Sequence, residues 1–132
     1  MLTGFKPINL ITGSAVLSVT NNGLGFNKNV AIKMDNPPYI RFMINDDEKQ
    51  IAIQKSDGKD DSSTKFLQEG TDITNGIRYH NKDLEAIIES MMQWDLSLYN
   101  YRIDGYYQEE DSAMIFNLKS ARRFPKRSRT NK

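Results

Sequence analysis

Residues 39–54 read Tyr-Ile-Arg-Phe-Met-Ile-Asn-Asp-Asp-Glu-Lys-Gln-Ile-Ala-Ile-Gln, and no other stretch constrains the fold as tightly. Ile40, Phe42 and Ile44 lie before a polar turn, Asn45 to Lys49, and match Ile51 and Ile53 after it at a period of two. That alternation is the mark of a half-buried β-hairpin. A lone hairpin is marginal in water, so its apolar face has to be covered by another part of the chain.

The flanking residues show what surrounds it. Val16 to Thr20 alternates as a short strand and ends at Asn21-Asn22-Gly23. Asn27 is a fitting N-cap for a helix over Lys28 to Met34, which places Val30, Ala31 and Met34 on one face. Asp35-Asn36-Pro37-Pro38 then stops the helix, since proline cannot donate and disfavours a helical residue before it. The same order returns later. Ile77 to Tyr79 is strand-like, Asn81 is a second N-cap, and Lys82 to Gln93 carries Leu84, Ile87, Ile88, Met91 and Met92 at amphipathic spacing, with Glu85 and Glu89 opposite. After Trp94 to Tyr99, a second hairpin runs from Tyr101 to Gln108 and from Ala113 to Leu118 around Glu109-Glu110-Asp111-Ser112.

Aligned on their caps, Val30 falls on Leu84 and Met34 on Ile88, so the chain reads as a degenerate duplication. The expected fold is α+β: two strand–helix–β-hairpin units, residues 15–55 and 77–118, packed as a pseudo-dimer within one domain. Residues 56–76, polar apart from anchors such as Phe66, Leu67 and Ile73, are the expected linker.

The 132 residues carry a net charge of +1, and that small total hides a strong polarity. Residues 1–55 hold six Lys/Arg against four Asp/Glu, residues 56–118 five against thirteen, and residues 119–132 seven against none. The last segment has Phe124 as its only large apolar side chain, and it is expected to form a disordered basic arm. Such an arm suits phosphate contact, with Arg122, Arg123, Lys126, Arg127 and Arg129 as the cations.

Composition narrows the function classes. Without cysteine there is no disulfide framework, thiolate nucleophile or Cys-based metal site. No apolar run is long enough for a transmembrane helix and no secretory leader is visible, so a cytoplasmic protein without membrane association is expected. The single histidine, His80, has only Asp83 as a nearby carboxylate, which predicts no metal. The carboxylate pairs Asp46-Asp47 and Glu109-Glu110 fall at hairpin tips, where water keeps them ionised. Gly23-Leu-Gly25 does not open a full helix as a phosphate loop would. No catalytic residue and no cofactor is expected.

The first unit resembles the AbrB-type swapped-hairpin DNA-binding fold of bacterial transition-state regulators and antitoxins. The residues that carry the resemblance are Gly23 with the strand Leu24 to Phe26, the short helix Lys28 to Met34, and Ile44-Asn-Asp-Asp-Glu-Lys-Gln-Ile-Ala-Ile-Gln-Lys55 as the closing hairpin. The chain's style is also similar to small proteins of Gram-positive phages and prophages. The resemblance implies DNA contact through Lys28, Lys33 and Arg41, and a homodimer as one option. Two family features are missing: a proline near Asn27, and a basic cluster on the first strand, where Ser18, Thr20, Asn21 and Asn22 stand.

The function expected is that of a non-enzymatic DNA-binding regulator. The alternative is an inhibitor of a host protein, such as an anti-CRISPR, in which Tyr101, Tyr106, Tyr107, Glu109, Glu110 and Asp111 form an acidic, nucleic-acid-mimicking surface.

Overall fold

The computed structural model describes residues 3–5 and 13–126. Among the described residues nine strands run in chain order: β1 (Val16–Thr20), β2 (Gly23–Phe26), β3 (Tyr39–Asn45), β4 (Gln50–Ser56), β5 (Ser63–Lys65), β6 (Ile77–Tyr79), β7 (Tyr99–Gln108), β8 (Ala113–Asn117) and β9 (Arg122–Pro125). Two helices interrupt them, α1 (Lys28–Lys33) and α2 (Lys82–Met92). All strands join one sheet in the order β5-β3-β4-β8-β7-β1-β2-β6, with β9 added beside β7. Every pairing is antiparallel.

This overturns the expected α+β pseudo-dimer. The molecule is a single antiparallel sheet curled into a half-barrel, and the two short helices are minor parts of it. The expected hairpins and caps are present, but β1 pairs with β7 and β4 with β8, so strands of the two supposed units interleave in one ladder. Alternation along a strand fixes which side chains face inward; it carries nothing about which distant strand lies alongside.

The core fills the inside of the curl. Leu17, Val19, Leu24, Phe26, Ile40, Ile51, Ile53, Ile103, Met114 and Phe116 are buried there, each at an inward position of its strand. Asn27 ties the start of α1 to this sheet. Its side-chain oxygen accepts from the Val30 and Val16 amides, at 3.3 and 3.0 Å, while its amide donates to the Ser14 carbonyl. Val30, Ala31 and Met34 then enter the core.

The outermost strands, β5 and β6, meet through side chains. The Tyr79 hydroxyl donates to the Lys65 carbonyl at 2.6 Å, and its ring stacks on Phe66 and meets Phe42 edge-on at 5.2 Å. The expected linker therefore contributes structure: β5 pairs with β3, and Phe66 is buried.

Two other expectations are corrected. Residues 119–126 are not a disordered arm, because β9 pairs with the first half of β7, Tyr99 opposite Pro125 and Arg102 opposite Arg122. Repulsion between cations on a separate tail is offset by ladder hydrogen bonds and by aromatic partners. The remaining arm residues, Arg127 and Arg129 among them, lie outside the described residues. On α2, Ile88 is buried as expected, but Ile87 is 47% exposed and Glu85 only 5% exposed. The helix is turned relative to its apolar stripe, and Lys82 stands 3.6 Å from the Glu85 carboxylate. Glu89 is no idle surface residue either: its carboxylate accepts from the Leu96 amide at 3.0 Å beyond the helix end.

Candidate nucleic-acid interface

The outward side of the sheet can be read from the pairing register. Leu17, Val19, Leu24 and Ile103 face the core, so Ser18, Gly25 and Arg102 face away from it. Arg122 lies opposite Arg102, Arg102 opposite Ser18, Ser18 opposite Gly25, and Gly25 opposite Arg78. One continuous row, Arg122–Arg102–Ser18–Gly25–Arg78, thus crosses five adjacent strands. Four interstrand steps make it roughly 19 Å long. The three arginines are exposed, and the two residues between them are small.

The row is held in place by its neighbours. The Arg78 guanidinium lies over Gly25, where an added Cβ would meet it at 3.6 Å. The Arg102 guanidinium sits over the Phe124 ring, 5.1 Å from its centroid. Arg122 reaches the Asp104 carboxylate at 3.0 Å, with both side chains about half exposed. A pair so open to water is weak and screened by salt, so it leaves the row positive. On the other side of these strands, Arg123 covers Tyr99 at 4.3 Å, and Tyr101 is stacked on Trp94 with 3.7 Å between centroids.

The residues expected from the sequence do not all come together. Arg122 belongs to the row, whereas Arg123, opposite the buried Tyr101, faces the other side of the sheet. Lys126 follows β9, its amide donating to the Leu98 carbonyl. Lys28 and Lys33 sit on α1, whose buried face enters the inside of the curl, away from the row. Arg41 is on β3 and is already engaged: it forms an ion pair with Asp60 and donates to the Gln54 side chain at 3.0 Å. The hydroxyls of Ser62 and Ser63, and then Arg41, hold the Asp60 carboxyl below the usual carboxylate range.

Among the residues of the alternative surface, Tyr101 is buried against Trp94, which removes it from any contact face. Tyr107 is half-buried beneath the Lys55 ammonium at 5.7 Å. Tyr106 is 51% exposed, and Glu109, Glu110 and Asp111 form an exposed single turn before β8.

Arg78 and Arg102 were not among the cations expected to touch DNA. The signal for each was local: Ile77-Arg-Tyr79 and Tyr101-Arg-Ile103 are strand segments with a charged centre. Only the order of strands reveals that they share a row.

His80 is exposed, and among the described residues no group of three His, Cys, Asp or Glu could hold a metal ion. No helix of the described residues is long and apolar enough to cross a membrane. No protein-family model, curated protein or solved structure matches the chain.

Proposed function

We propose that this protein is a non-enzymatic DNA-binding regulator that grips the phosphate backbone with the outer face of its sheet. The observation that carries the reading is the row of Arg122, Arg102 and Arg78 across five strands. Guanidinium groups pair with phosphate through a planar fork of donors, and a row about 19 Å long spans the phosphates of some five base pairs at 3.4 Å each. Ser18 and Gly25 keep the floor low between the arginines, so a backbone can approach the sheet closely.

The chemistry of this face favours backbone contact over base stacking. The outward positions of β1 and β2 hold Val16, Ser18, Thr20 and Gly25, none of them aromatic, so that Phe124, 40% exposed with Arg102 over its ring, offers one ring where successive stacked bases would need several. Stacking platforms for single strands need open rings. Duplex DNA is therefore the expected ligand, with phosphate contacts setting position more than sequence.

The test is fluorescence anisotropy with a labelled duplex. Arg102→Glu reverses the central charge of the row and should weaken binding at least tenfold, whereas Lys28→Ala with Lys33→Ala should change it less than twofold, on the order expected for phosphate contacts. Equal binding by the Arg102→Glu variant would overturn the proposal.

A further inference from the structure

The other half of the sheet presents a second face of opposite character. Met43 lies opposite Ala52, Ala52 opposite Ile115, and Ile115 opposite Tyr106, which makes an apolar row across four strands on the side away from the core. Met43 is 45% exposed and Tyr106 51%; Ala52, the smallest of the four, leaves a depression between Met43 and Ile115. A groove of about 490 Å³ opens there, with Asp46 and Asp47 at one end of the strands and Asp111 at the other. Antiparallel register explains the placement: the turn after β3 and the turn before β8 lie at opposite ends of the β4–β8 pair.

The charge at both walls is acidic. Asp46 is paired with Lys49 and Glu48 with Lys119, but Asp47, Glu109, Glu110 and Asp111 make no ion pair among the described residues. We propose that this groove docks a basic amphipathic helix of a partner protein. Three interstrand steps make the apolar row about 14 Å long, which corresponds to nine or ten residues of helix at 1.5 Å each. Apolar side chains at i, i+3 or i+4, and i+7 would lie along the row. Lysines or arginines on the two flanks of that helix would meet the two acidic walls. A second copy of this chain fits poorly, since apposing the same face brings acidic turns against one another.

A synthetic helix of about 18 leucine and lysine residues in amphipathic register, long enough to fold on binding, serves as the probe, with a glutamate-for-lysine version as control. Anisotropy should show binding of the lysine peptide and none of the glutamate peptide. Ala52→Arg, at an outward position that leaves the core untouched, should weaken it at least about tenfold with an unchanged circular dichroism spectrum. Glu109→Gln with Glu110→Gln should slow association at low salt, and the difference should fade as salt rises. Equal binding by Ala52→Arg, or equal binding of both peptides, would overturn the proposal. So would a dimer of the protein that Ala52→Arg dissolves, or a groove that accepts the peptide only after residues 127–132 are removed.

Discussion

At the scale of single residues, the fold separates side chains that sequence spacing treats alike. Ile87 and Ile88 both belong to the apolar stripe of α2, yet only Ile88 is in the core. Ile88→Asp places a charge in an apolar interior and should unfold the protein, while Ile87→Asp should change stability by about 0.5 kcal/mol or less, as thermal melts would show. Tyr79 gives a test with a pH signature. Burial pushes its phenol up from the ordinary 10.0, because the folded state favours the neutral form that donates to Lys65. A raised value means that this contribution is full below pH 10.0 and is lost as pH rises through the folded value. Tyr79→Phe should cost about 1 kcal/mol at neutral pH, and its deficit relative to the parent should shrink in alkaline melts. Caps were readable at this scale. Asn27 and Asn81 both accept from the amide three residues on, because capping is settled within one turn of chain. The inward turn of Glu85 was not readable, since it depends on which part of the sheet α2 meets.

At the scale of elements, the strands with clear alternation were legible and the short, polar ones were not. β1, β3, β4, β7 and β8 each carry inward apolar residues that name them as strands. β5 and β9 are Ser-Thr-Lys and Arg-Arg-Phe-Pro, whose place comes from the edge they cover and not from their own pattern. β9 matters because it completes the row and covers the first half of β7. Removing residues 122–132 should therefore lower the melting temperature by several degrees and abolish DNA binding. Gly105, midway along β7, is tested by its neighbour Phe116, whose ring would stand 2.5 Å from an added Cβ. Gly105→Val should cost about 2 kcal/mol by overpacking, measured by chemical denaturation.

At the scale of the whole molecule, one curled sheet keeps two chemistries apart on its outer side. The arginine row crosses β9, β7, β1, β2 and β6, and the acid-walled apolar row crosses β3, β4, β8 and the far end of β7. The sequence displayed the segregation of charge along the chain, but assigned the cations to a tail, to α1 and to Arg41 on the first hairpin. What it lacked was strand order, which arises from pairings as distant as Ser18 with Arg102 and Gln50 with Asn117. Such contacts leave no local trace, so a site assembled from them emerges only in the folded sheet. The arginine row is tested by the salt dependence of duplex binding, compared between the parent and the triple variant Arg78→Ala, Arg102→Ala, Arg122→Ala. Each phosphate contact contributes about 0.9 to the slope of log K against log salt, so the triple variant should bind more weakly with a slope shallower by about 2.7. Parent and variant curves that coincide in affinity and slope would contradict the account.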